Sequence, residues 1–361
     1  MAKTMPGTWS KLAESAELQR SSHSICDAGG STYIFGGELK PREPRDNYIH
    51  VVESAGSEGS VKLSSIQDLS PAPSARVGSG GTTCVEEFYI FSGRGGVEMK
   101  PIEEHGSLWC FKPKTSSWVK ITPADPDAPF PKGRSYHAMT STYRYGDADR
   151  HSRTIYVHAG CPESGRLNDL WAFDVETRVW KKLRDAPGAP RGGASICVDG
   201  SQAKLYRMNG FDGKNEIGGC IDIYAVEDDR WSTRNFEADG EKGPGPRSVS
   251  ALLAPEIHGS DDFLVTLFGE SDPSNLGHQG AGKMLGDIWV YIISRHAWVK
   301  VRAKARKGQK GPAPRGWFAA DLAGNEGIVV AGGLAEDNGR LGDVWVLELR
   351  TGEPGDEDGE E

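Results

Sequence analysis

No stretch of this 361-residue sequence approaches the roughly 18 consecutive apolar residues that a membrane-crossing helix requires, so no membrane partner is expected. The opening Met-Ala-Lys-Thr-Met-Pro has no apolar core and does not read as a signal peptide. Cysteine is sparse: Cys26, Cys84, Cys110, Cys161, Cys197 and Cys220 are scattered, with no Cys-x-x-Cys pair. Free, buried thiols in a reducing cytoplasm, or also in the nucleus, are the expectation. Basic charge is in deficit, with a net charge of −9. Much of that excess lies in the acidic tail 351–361, which reads as disordered and solvated. The one basic run, Lys300 to Lys310, has no interleaved aromatics, so it reads as a solvated linker and no nucleic-acid partner is expected.

What is present is repetition. Glycine (47) and proline (21) are frequent enough to favour many tight turns over helices. The stretch from Arg134 to Leu183 holds four short runs of β-formers divided by turns, the pattern of half-buried antiparallel strands. Its opening arginine recurs as Arg20, Arg76, Arg134, Arg191, Arg247 and Arg315. After each comes an apolar run ending in glycine: Gly37, Gly93, Gly160, Gly210, Gly269 and Gly333. A fourth run carries Trp118, Trp180, Trp231 or Trp298, expected to pack between units. The last copy ends at Leu349 without a fourth run, whereas Thr8-Trp-Ser-Lys-Leu12 supplies one ahead of the first arginine. Periods near 50 residues with Gly-Gly and Trp signals indicate kelch repeats. The expectation is an all-β, six-bladed kelch β-propeller over residues 1–350, with four-stranded antiparallel blades and a ring closed by the N-terminal strand.

In such a ring the opening arginines and the loops after the glycines share one face, and loops on a rigid scaffold are a usual seat of function. The six arginines, one per blade, read as structural hydrogen-bonding groups between blades. The loop Glu270–Gly282 places Glu270, Asp272 and His278 together. Two carboxylates and an imidazole form either a weak, open divalent-metal site, iron(II) included, or a solvated turn. Arg94 and Arg166 both follow strand ends into the same mouth. Two such forks suit a sulfate, phosphate or carboxylate, or else pair with acids of neighbouring blades.

Arg20-Ser-Ser-His23 with Tyr33-Ile-Phe-Gly-Gly-Glu-Leu-Lys-Pro-Arg42 resembles the first blade of the plant specifier proteins, the nitrile-specifier, epithiospecifier and thiocyanate-forming family. The likeness continues at Arg134-Ser-Tyr-His-Ala-Met139, Arg191-Gly-Gly-Ala194, Gly210-Phe-Asp-Gly213, Arg247-Ser-Val249 and Arg315-Gly-Trp317. The resemblance implies an iron(II)-dependent, lyase-like activity on an unstable aglucone that carries a sulfate and a thiolate. It implies that Arg94 and Arg166 grip and stabilise the departing sulfate while Tyr136, Phe211 and Trp317 line the pocket. The family's metal motif is Glu-x-x-x-Asp-x-x-x-His. Here Glu270 and His278 keep the outer spacing, Ser274 stands at the Asp position, and Asp272 is the acid between them.

Two readings follow. One is a nitrile-specifier-like lyase that uses Fe(II) on a small anionic, sulfated or sulfur-bearing molecule. The other is a non-catalytic kelch propeller that binds a protein partner. The fold alone does not choose between them.

Overall fold

The computed structural model describes residues 4–55, 60–145, 151–255, 262–277, 280–324 and 327–350. His278 and the tail 351–361 lie outside the described residues. Within them the chain is all-β, with no α-helix, and no helix is long and apolar enough to cross a membrane.

Four-stranded antiparallel meanders follow one another along the chain. The first comprises Ser21–Ala28, Ser31–Lys40, Ile49–Ala55 and Ser60–Ile66, with the short Glu43–Pro44 paired beside it. The second comprises Gly80–Cys84, Glu87–Phe91, Leu108–Lys112 and Ser117–Ile121. The third comprises Ala138–Tyr145, His151–Gly160, Leu167–Asp174 and Val179–Leu183. The fourth comprises Ser195–Val198, Lys204–Met208, Cys220–Ala225 and Arg230–Asn235.

Two short pairs lie in loops, Arg94–Gly95 with Lys100–Pro101 and Glu270–Ser271 with Lys283–Met284, and the other strands form one eight-stranded sheet. It begins Ala251–Leu253, Phe263–Leu267, Ile288–Ile292, Ala297–Ala305 and continues Met5–Glu14, Asp343–Leu349, Gly327–Ala331, Ala319–Ala323. The N-terminal strand thus supplies the strand missing after Leu349, running antiparallel from Gly7 opposite Leu349 to Glu14 opposite Asp343. It also runs parallel to Ala297–Ala305, with Met5 opposite Val301 and Trp9 opposite Ala305. This corrects the expectation of a solvated basic linker. In its first half Val301, Ala303 and Ala305 alternate with the exposed Arg302 and Lys304, the period of a strand with one face covered.

The core lies between meanders. Phe35, Phe88, Trp109 and Trp118 join the first two, and Phe91, Cys110, Phe173 and Trp180 join the next. Trp180 Nε1 donates to Gly106 O across that junction, at 2.8 Å. Trp9 is buried against Phe268 and Trp345. Four cysteines are buried, but Cys161 and Cys220 are partly exposed. The innermost strands touch in the order Ser21–Ala28, Gly80–Cys84, Ala138–Tyr145, Ser195–Val198, Ala251–Leu253, Ala319–Ala323 and back to the first.

The repeated arginines are buried, and their guanidinium groups work inside their own meander. Each Nη1 donates to a carbonyl at the end of the second strand, for example Arg134 to Ala159 O at 3.0 Å and Arg315 to Gly332 O at 2.9 Å. Arg134, Arg247 and Arg315 also hold Asp169, Asp287 and Asp343 with two bonds each. The expected link between units is therefore made by the arginine's main chain, not its side chain. Gly37, Gly93, Gly160, Gly210, Gly269 and Gly333 each donate N–H to the carbonyl of the next repeat's arginine, and Gly333 reaches Arg20 at 2.9 Å. All six glycines have positive φ, and at Gly160 a Cβ would meet Ser135 O at 2.9 Å, so only glycine is accommodated there.

Candidate functional site

Two residues beyond each arginine the chain turns left-handed: Ser22, Gly78, Tyr136, Gly193, Val249 and Trp317 have φ between 46° and 61°. Each donates its N–H to the carbonyl of the equivalent residue one repeat back. The chain of bonds runs Trp317 to Val249, Val249 to Gly193, Gly193 to Tyr136, Tyr136 to Gly78, Gly78 to Ser22 and Ser22 to Trp317. This closed annulus of peptide groups is the floor of the mouth. Positive φ is unfavourable for β-branched and bulky side chains, so Tyr136, Val249 and Trp317 are held there by the ring at a local cost.

Above the floor lies a cavity of about 340 Å³. Tyr136, Arg166, Phe211, Glu216, Glu270 and Trp317 are among its walls. The structure thus brings together five of the side chains expected at the site, namely Arg166, Tyr136, Phe211, Trp317 and Glu270. Tyr136 and Trp317 meet edge to face at 5.2 Å. The Arg166 guanidinium sits 5.0 Å from the centre of the Phe211 ring. Gly213 makes room for it, since a Cβ there would come within 2.7 Å of Arg166 Nη1. Arg166 Nε is buried without a hydrogen-bond partner.

Arg94 is placed differently. It borders a smaller cavity of about 170 Å³ with Glu38, Arg42 and Met99, and this cavity shares Tyr136 and Cys161 with the larger one. Its Nε donates to Ser135 Oγ at 2.7 Å, Nη1 to Met99 O at 3.2 Å and Nη2 to Pro162 O at 2.8 Å. Arg94 therefore pins the loop that leads to Arg166, and the two forks do not converge on one cavity.

Glu270 opens a short strand, Glu270–Ser271, and is buried. One carboxylate oxygen accepts from Gly282 N at 2.6 Å and the other from Trp317 Nε1 at 3.0 Å. Burial raises its pKa despite these two donors. Asp272 is exposed at a left-handed turn and is not part of the cavity wall, whereas Ser274 is. Among the described residues no three His, Cys, Asp or Glu side chains are arranged to hold a metal.

Glu216 was not anticipated. The carboxylate of Asp212 accepts from Lys214 N and Asn215 N at 2.7 and 2.8 Å, closing a tight turn that sets Glu216 opposite Phe211. If Phe211 faces the mouth, that turn brings Glu216 to it as well, and this is the signal in Phe211-Asp-Gly-Lys-Asn-Glu216 that would have found it. Burial, reinforced by the charge of Glu270, pushes its carboxyl up to about 7.

A family model for the KLHDC2/KLHL20/DRC7 Kelch-repeats domain matches residues 22–266. Along nearly its whole length the chain is similar to N-(sulfonatooxy)prop-2-enimidothioate sulfolyase of Thlaspi arvense, with 26% identity over 379 residues, covering 97% of this chain and 99% of that protein. It is also 26% identical over 198 residues to Kelch domain-containing protein 3 of Homo sapiens, 52% of this chain and 47% of that one. A third similarity, 23% over 232 residues, is to the dynein alpha chain of the flagellar outer arm of Chlamydomonas reinhardtii, of which the match covers 5%. With the repeat matched over most of its length and its arginine, glycine and tryptophan geometry recurring around the annulus, the chain belongs to the kelch-repeat family and resembles the specifier proteins within it.

Proposed function

We propose that this protein is a specifier-like lyase, built as a six-bladed propeller over residues 1–350 and acting at its mouth on a small sulfated or sulfur-bearing anion. The observation that carries the reading is Arg166, an arginine without a hydrogen-bond partner at its buried Nε, stacked on Phe211 and facing an aromatic-walled cavity. The full-length similarity to a sulfolyase supports it. The closed order of innermost strands and the pairing of Met5–Glu14 with Asp343–Leu349 support the blade count.

In this proposal Arg166 holds the sulfate end through its planar fork and stabilises the charge that grows as sulfate departs. Arg94 keeps the 161–166 loop in place, and through it Arg166. Tyr136, Phe211 and Trp317 exclude water from the reacting molecule. Iron(II) enters as the metal that Glu270, Asp272 and His278 would hold, where it would supply a Lewis acid for sulfur. Asp272 is exposed and is not among the residues of the cavity wall, and His278 lies outside the described residues, so every role above belongs to the side chains alone.

The test is sulfate release from an N-(sulfonatooxy)imidothioate generated in place, under anaerobic conditions with ferrous iron. Wild type should change the rate or the products relative to the spontaneous reaction, and Arg166→Ala should abolish the change. Identical products with and without wild-type protein would overturn the lyase reading. A second reading, a protein-interaction surface, is favoured by Val97 and Leu276, apolar residues that are 104% and 74% exposed.

A further inference from the structure

The cavity is electrically lopsided. On one wall Arg166 Nε has no acceptor. On the other, Glu216 and Glu270 have no cationic partner among the described residues. Glu270 is held by the Gly282 and Trp317 N–H groups, and Glu216 accepts from its own main-chain N–H and, at 3.5 Å, from Ser248 Oγ. The charges that Glu216 feels most are those of Glu270 and Asp272, both of its own sign. Placing two carboxyl groups together in a partly dry cavity, with a buried guanidinium Nε that lacks an acceptor and, among the described residues, has only Asp212 as a nearby opposite charge, is unfavourable unless something bridges them.

One short turn carries both ends of the site. Phe211 supports Arg166 from one strand of that turn, and Glu216 stands opposite Phe211 on the other. Between them the faces of Tyr136 and Trp317 line the space, and aromatic faces attract cations. A cavity of about 340 Å³ admits a small molecule and little else. Resting on the reading of an anionic substrate, we infer that the molecule this site takes also carries an amine at the end away from its anion, and that Glu216 is the specificity-determining residue that receives it.

The experiment uses two probes of equal chain length, homotaurine and propanesulfonate, which differ by a terminal amine. Each is titrated into the full chain at neutral pH by calorimetry, with EDTA present so that no metal ion satisfies the carboxylates. Wild type should bind the amine-bearing sulfonate about tenfold more tightly, the size of one charge-assisted hydrogen bond. Glu216→Gln, which keeps shape and removes charge, should erase that preference, so that the two probes bind equally. Arg166→Ala should weaken both probes. Equal binding of the two probes by wild type, or a preference that survives Glu216→Gln, overturns this inference and leaves the anion site standing. Failure of both probes to bind wild type removes the anion site and this inference with it.

Discussion

Two sets of arginines in this protein share a repeat and a face but not a chemistry. Arg134, Arg247 and Arg315 are buried, and each is saturated by two carbonyls and both oxygens of an aspartate. That aspartate also accepts from the indole of Trp171, Trp289 or Trp345. Arg166 has an aromatic ring and, instead of an ion pair, only the nearby charge of Asp212. The first arrangement fixes a strand end, and the second leaves a charge available to something outside the chain. Arg191 shows that the difference lies in the partner rather than the position. It occupies the repeat position, but the aspartate of its meander, Asp222, is taken by Arg207, and its own donors go to Asn209 O and Ala189 O.

The sharpest way to break this comparison is to remove one arginine of each kind. Arg134→Ala strands the partly buried Asp169 and should cost about 3 kcal/mol in urea denaturation. Trp9→Ala should cost a similar ~3–5 kcal/mol, because it empties the space between Phe268 and Trp345 where the N-terminal strand closes the sheet. An unchanged denaturation midpoint would mean that this strand is dispensable. Arg191→Ala leaves two carbonyls unpaired but no carboxylate, and about 1–3 kcal/mol is expected. A loss as large as that of Arg134→Ala would show that the acid is not what matters. Arg166→Ala should stay within about 0.5 kcal/mol of wild type in stability, since nothing in the fold depends on it.

The smallest effect concerns acid. Asp321 accepts from the main-chain N–H of Asp27 and Leu322 and from Thr83 Oγ1, tying together three meanders, and burial raises its pKa to about 6. A carboxyl whose pKa is raised by folding binds its proton more tightly in the folded state. Its contribution to stability is therefore present below the usual carboxylate range and declines as pH rises through about 6. Denaturation midpoints between pH 4 and 7 should show this slope in wild type and a flatter one in Asp321→Asn.

The strand order was legible in the sequence because each unit repeats arginine, glycine and tryptophan at matching places, so an error in one copy is corrected by the others. The same redundancy located Trp9 in the closing strand, from nothing more than an absent run after Leu349. The basic segment after Lys300 was misread because charge drew attention away from Val301, Ala303 and Ala305, whose alternation is plain once the parallel partner is seen. The site was harder to read because several of its members come from loops that do not repeat, and the repeated positions it does use, at Tyr136 and Trp317, vary in side chain from copy to copy. Arg166 and Glu270 were legible from loops that follow strand ends and Tyr136, Phe211 and Trp317 through resemblance, whereas Glu216 depended on a turn specific to this chain. Arg94 looked equivalent to Arg166, and only the placement of Pro162 and Met99 distinguishes them.

The annulus beneath the mouth is fastened by peptide groups alone, and none of its bonds consults the identity of a side chain. The residues at 22, 136, 249 and 317 can therefore be rewritten as a recognition alphabet while the grammar that closes the ring stays the same, whereas a Cβ at Gly78 or Gly193 would run into Tyr136 or Val249. Serine, glycine, tyrosine, valine and tryptophan already occupy equivalent positions there. A library randomised at Tyr136, Val249 and Trp317 should yield mostly folded proteins that differ in what they bind, with glycine, the residue most at ease in the left-handed turn, as the one substitution that also relaxes the backbone.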